Sequence, residues 1–183
     1  MPSIQAIADA LSSTFADERY PLGTTYVQTD AEVKNGVSNV DDTLDFALLK
    51  GERVWIFVQA DSSGVAAGDL VKANTAGRPF VATTDAANKT RVPLLLGVAD
   101  NAIAANQYGW VIARGTCVVK AHTDVTAGEI VMGYGSTGDA GEVADLTTVG
   151  SLAAGDGGAF VGVALEDEAG TKADYAQAII NVL

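Results

Sequence analysis

The sequence predicts a mainly β protein, a β-barrel or sandwich built from two similar β units, preceded by an N-terminal arm with a short amphipathic helix. Three observations predict it. A heptapeptide occurs twice, as "VAAGDLV" at 65–71 and "VTAGEIV" at 125–131. The segments around both copies are β-branched or aromatic and alternate with period two, as half-buried strands do. Twenty glycines in 183 residues punctuate those segments where turns are needed. Apolar residues make up 48% of the chain, enough to bury a core and to argue against wholesale disorder.

Taken in chain order, residues 1–52 form the arm. Ile4, Ile7, Leu11 and Phe15 recur at three- and four-residue spacing, which puts them on one face of a helix over about 3–16. Ser3 is its N-cap, and "ADERYPLG" ends it because Pro21 lacks a donor and restricts Tyr20. Residues 24–50 read as extended and polar apart from "LDFALL". The segment either folds back on its own barrel or lies on a neighbour. The marginal stability of a lone four-turn helix tilts the expectation toward the neighbour. The four apolar residues are therefore expected partner contacts.

The first β unit spans 53–114 and the second 115–183, packed as one domain or two. "FVQAD" (57–61) parallels "VVKAH" (118–122), "LGVAD" (96–100) parallels "VGVAL" (161–165), and "YGWVIA" (108–113) parallels "YAQAII" (175–180). Each copy runs strand, Ala-Gly-acid turn, strand, variable loop, Gly-Val-Ala strand, final strand. Gly68 and Gly128 fall where a turn needs positive φ, and Gly97 and Gly162 mark the Gly-Val-Ala strands. Tyr108, Trp110 and Ile112 share one strand face, as do Tyr175, Gln177 and Ile179, with Ala176, Ala178 and Ile180 opposite. Asp69 and Glu129, after the turn glycines, read as solvated edge charges that discourage stray strand pairing.

Charge narrows the function classes. The net charge of −12 opposes direct binding to a phosphate backbone. It is unevenly spread. Residues 1–60 carry nine acids and four bases, residues 61–120 four acids and six bases, and residues 121–183 ten acids and one base. The acidity serves solubility, or the basic block meets an acidic block of a neighbouring subunit. No apolar run of about 18 residues is present to span a membrane. The opening "MPSIQAIADALSS" lacks the basic and apolar regions of a secretory signal. With a single cysteine there is no disulfide framework, and cytoplasmic synthesis is expected.

The parts of an enzyme are scarce. The single histidine, His122, stands in a loop position that holds Asp61 in the first copy, and a catalytic base needs an oriented partner. Cys117 aligns with Ile56 and reads as a buried small hydrophobe. One Cys and one His cannot build a zinc cluster. "DDTLD" (41–45) and "EDEAG" (166–170) lack the spacing of a calcium loop. "GYGSTGDAG" (133–141) lacks the lysine and following helix of a phosphate loop. "NKT" (88–90) is a glycosylation sequon without a secretory route. No catalytic, cofactor or metal residue is therefore assigned, and no cofactor is expected.

Several stretches resemble the capsid decoration (cement) proteins of tailed bacteriophages: "AGEIVMGYGSTGDAG", "FVGVALEDEAG" and "AQAIINVL" in the second copy, with "AGDLVKANTAGRPFVATTDA" and "LLLGVAD" in the first. The match covers the two units and leaves residues 1–50 aside. The resemblance implies a β-rich structural protein made in the host cytoplasm. It would sit on the outer surface of the virion capsid, bind the major capsid protein, and self-associate as a homotrimer at three-fold or quasi-three-fold axes. Two alternatives stay open: another virion module (tail, fibre or vertex), and a β-clip-type nucleotide hydrolase gripping phosphate with Arg78, Lys89 and Arg91.

Overall fold

The computed structural model describes residues 11–29, 51–74, 78–84, 94–121, 125–133, 142–145, 160–165 and 175–182. Ten strands form one sheet: β1 (Thr25–Gln28), β2 (Arg53–Ala60), β3 (Leu70–Asn74), β4 (Arg78–Thr83), β5 (Leu95–Ala99), β6 (Tyr108–Lys120), β7 (Ile130–Gly133), β8 (Val143–Asp145), β9 (Phe160–Ala164) and β10 (Tyr175–Asn181). The order is β1-β2-β4-β3-β5-β6-β10-β9-β7-β8, with β2 also pairing β6. Strands β2, β4, β3, β5 and β6 thus close into a ring. Its one parallel contact is β2 with β4, at Gln59↔Val81 and Ala60↔Ala82. Among the described residues the molecule is mainly β and holds no helix.

Strand β6 belongs to both halves. Its first part pairs β2 and β5; its second pairs β10, from Asn181↔Arg114 to Tyr175↔Lys120. Gly115 lies between them at φ 110, where the strand passes hard against the Glu52 carbonyl and Arg53. Strands β10, β9, β7 and β8 follow, and a parallel bridge, Ala121↔Val143, links β8 back to the end of β6.

The two halves carry matching ladders. In the first, Leu70 faces Val98 and Val71 faces Gly97, and the register slips between Val71 and Lys72. In the second, Ile130 faces Val163 and Val131 faces Gly162, and the register slips between Val131 and Met132. The turns match as well. Gly68 N–H donates to the Ala99 carbonyl at 2.7 Å, and Ala99 N–H to the Asp69 carbonyl at 3.0 Å. Gly128 N–H donates to the Ala164 carbonyl at 2.9 Å, and Ala164 N–H to the Glu129 carbonyl at 3.0 Å.

Alternation along these strands sorts side chains into two buried clusters. Ile56, Val58, Val71, Leu96, Ala99, Val111 and Ala113 fill the first ring. Trp55, Phe57, Trp110, Ile112, Val98 and Leu70 point the other way and join a larger cluster. That cluster includes Cys117, Val119, Val131, Val161, Ala178 and Ile180 of the second half.

The N-terminal segment departs from expectation. Residues before 11 lie outside the described set, but 11–16 form a turn and a bridge, so no helix reaches residue 16. Phe15 N–H and carbonyl both bond Tyr108 across the sheet at 2.9 Å, which removes the i−4 pairing a helix requires. The segment folds back on its own chain, with Leu11 buried. The ring of Phe15 meets Tyr20 and Phe57 at 6.3 and 6.2 Å, and Tyr20 meets Trp110 at 5.3 Å. The anchor is aromatic because such pairs add about 0.5–1.5 kcal/mol each beyond the area they bury. "LDFALL" lies outside the described residues.

Candidate functional site

The turn glycines differ in what surrounds them. Gly68 (φ 82) and Gly128 (φ 83) both occupy the left-handed region. A Cβ on Gly68 would press on the Tyr175 ring, while one on Gly128 would meet open space. Gly97 and Gly162 are needed for a different reason: a Cβ on either would fall on the backbone carbonyl of the adjacent strand, Ile112 and Ile179 respectively. None of the four offers a chemical group.

The acid after the first turn glycine is not a solvated edge charge. Asp69 is buried, and its Oδ2 accepts the Ala66 N–H at 2.7 Å. A short acid three residues after Ala66 reaches back to satisfy a turn donor, as Asx-type side chains do. Burial pushes its pKa up, against the opposing pull of the Ala66 N–H and Lys120. Lys120, the last residue of β6, pairs with Glu142 at 3.2 Å. Burial works to lower its pKa, but the bond to Glu142 and the charges of Glu142 and Asp69 outweigh it and hold the ammonium above its ordinary range. Lys120 N–H also bonds the Gly68 carbonyl at 2.7 Å. The trio joins the first turn, β6 and the start of β8 where the two halves meet. Beside Asp69 an open groove of about 560 Å³ is lined by Thr14, Ser63, Thr84, Ile103 and Gln107.

Cys117 is fully enclosed, and burial pushes its thiol up to about 12, against the pull of Arg53. A thiol that does not ionise is no nucleophile. Arg53 is itself buried; burial lowers its pKa, opposed by Asp100. Among the described residues no group of three or more His, Cys, Asp or Glu is arranged to hold a metal ion. His122, Lys89, Arg91, both acidic clusters and the sequon lie outside the described residues, as does 134–141 of the glycine-rich stretch; the backbone of Arg78 opens β4.

Of the expected partner contacts, Leu11 and Phe15 are brought together on the chain's own core. Ile4 and Ile7 lie outside the described residues. The surface feature that sequence reasoning passed over is a row across three strands. Ile130 of β7 faces Val163 of β9, which faces Ile179 of β10. The three are 40%, 37% and 47% exposed. The signal was present in "YAQAII", where Ile179 shares the face of Tyr175 and Gln177. That it points outward required the ladder.

No family model matches the chain, and no curated protein matches it. Among solved structures the chain is similar to the N base of head fibre gp8.5 of bacteriophage phi29. That likeness has 18% identity and a TM-score of 0.45, and covers 71% of this chain and 95% of the other.

Proposed function

We propose that the protein is a structural component of a phage virion that binds the outer surface of the capsid and stabilises contacts between capsomers. The observation that carries this reading is where the cement-like stretches fall. "AGEIV", "FVGVAL" and "AQAII" supply the Gly128 turn, β7, β9 and β10 of one ladder, and "AGDLV" with "LLLGVAD" supplies the Gly68 turn, β3 and β5 of the other. The matched registers, slips and turn bonds support one β unit used twice, over about 53–114 and 115–183. The role is architectural rather than catalytic. Its partners are the major capsid protein and further copies of itself, as a homotrimer at three-fold or quasi-three-fold axes. A shell contact from the N-terminal segment falls to Ile4 and Ile7, since Leu11 and Phe15 are committed to the chain's own core.

The test is reconstitution. Purified protein is added to expanded shells lacking it, and binding is followed by co-sedimentation. Saturable binding with a raised temperature of shell disruption is expected. Shells that neither bind the protein nor gain stability from it would remove the cement reading.

A further inference from the structure

The two halves close in the same way but with different residues at the closing contact. In the first, β2 runs parallel to β4, with Gln59 opposite Val81 and Ala60 opposite Ala82. In the second, the parallel bridge Ala121↔Val143 takes the place of Ala60↔Ala82, which puts Lys120 and Glu142 where Gln59 and Val81 stand. A neutral pair therefore suffices for this closure, and the Lys120–Glu142 ion pair at 3.2 Å is an addition peculiar to the second half. The first turn meets it there. A Cβ on Gly68 would press on the Tyr175 ring, the Gly68 carbonyl accepts the Lys120 N–H, and Asp69 follows, buried. A Cβ on Gly128, in the equivalent turn, would meet nothing within 4 Å.

Charge at this junction does not balance. Asp69 and Glu142 are 6% and 9% exposed, and among the described residues one base, Lys120, acts on both. Tyr175 of β10, opposite Lys120 in the ladder, is the other titratable neighbour. From the end of β5 the Ala99 backbone bonds Gly68 and Asp69, and the Asp100 charge beyond it acts on Arg53 and Cys117. The groove side brings Thr14, Ser63, Thr84 and Gln107, none of which titrates. With both acids ionised the cluster carries a net negative charge, which burial penalises. A proton on Asp69 removes that charge.

We propose that Asp69, Lys120 and Glu142 form a proton-operated clasp between the two halves, which fastens the first turn to β6 and to the start of β8 while Asp69 is protonated and loosens as Asp69 ionises. The direction follows from burial, which raises the Asp69 pKa. The clasp is therefore fully fastened in acid and loosens as the pH rises through the raised value. Lys120 stays charged throughout, since its own pKa is held above the ordinary range. The clasp lies within one chain and does not depend on shell binding.

Native-state hydrogen exchange of the full chain reads the clasp locally. The Lys120 amide, bonded to Gly68, reports the turn. The amides of Val143–Asp145 report β8, and the amide of Val111, fully buried, reports opening of the core. After correction for intrinsic rates, protection at Lys120 and β8 relative to Val111 is expected to rise about threefold or more between about pH 7 and about pH 5. The Asp69 carboxyl carbon resonance should titrate in step. Asp69→Asn, neutral at every pH, should keep the high protection throughout. Lys120→Gln combined with Glu142→Val copies the neutral closure of the first half, so this variant should fold, with β8 exchange no longer following pH. Junction protection indifferent to pH in the parent would overturn the proposal. So would an Asp69→Asn protein that still follows pH, or β8 responding in the double variant as it does in the parent.

Discussion

Alanine at Gly162 and at Gly128 should separate two kinds of glycine requirement. At Gly128 the backbone is left-handed at φ 83, with nothing within 4 Å of a new Cβ. The cost is then conformational only, about 1–2 kcal/mol. At Gly162 the new Cβ would sit on the Ile179 carbonyl oxygen, with Ile180 Cα close behind at 2.9 Å. Backbone atoms cannot swing aside as a side chain can, so β9 and β10 must part. Overpacking of this kind costs about 1–3 kcal/mol, and each ladder bond lost adds about 1 kcal/mol. With two bonds disturbed, Gly162→Ala is expected to cost about 3–5 kcal/mol. At about 2–4 °C per kcal/mol for a chain of this size, the melting temperature should fall at least about 6 °C for Gly162→Ala and about 2–8 °C for Gly128→Ala. Circular dichroism melts and a denaturant titration would measure both. A Gly162→Ala protein melting within about 2 °C of the parent would refute the close approach. So would a greater loss at Gly128 than at Gly162.

Other outcomes follow from the same packing. Trp110→Ala, at the centre of the aromatic group formed with Tyr20 and Phe57, should cost about 3–5 kcal/mol and flatten the near-ultraviolet circular dichroism; a loss below about 1 kcal/mol would contradict its burial. Phe15→Ala should lower stability by about 2 kcal/mol if the N-terminal segment is folded onto its own sheet, and leave the melt unchanged if it is not. Cys117 should resist thiol reagents at neutral pH until denaturant is added, since its pKa is pushed up to about 12; labelling of the folded protein at the rate of a free thiol would contradict this. Asp69 has a folded pKa raised chiefly by burial. The folded state therefore binds its proton more tightly than the unfolded state, and stability falls as pH rises from the ordinary carboxylate value through the raised one. Asp69→Asn should melt higher than the parent at neutral pH, with the gap closing as pH drops below about 4; a gap that widens in acid would reverse the sign.

Much of the strand layout is legible because burial on one face forces period two. Strand β10 and the first part of β6 announce themselves by alternation, β2 by its β-branched and aromatic run, and the doubled Ala-Gly-acid turn gives their offset. Two strands, β4 and β8, hide in stretches that read as variable loops. They are short, and what makes them strands is pairing with β3 and β7, a tertiary cause with weak local signal. Residues 114 and 115, where the two units are expected to meet, lie within strand β6, which runs through Gly115 at φ 110. The helical spacing from Ile4 to Phe15 fails at its end, since Tyr108 offers Phe15 a backbone partner that local sequence does not reveal. For Asp69, the edge-charge reading lost to a local hydrogen bond. The exposed row could be foreseen only as a face, not as a surface left bare.

We have proposed that this chain is a structural part of a phage capsid. Quantitative peptide mass spectrometry of purified particles from the source culture tests it most directly, by measuring copies of this chain relative to the major shell protein. Copy numbers comparable to the shell protein are expected. A few copies per particle would instead assign the chain to a tail, fibre or vertex, and its absence from particles would remove the virion role altogether.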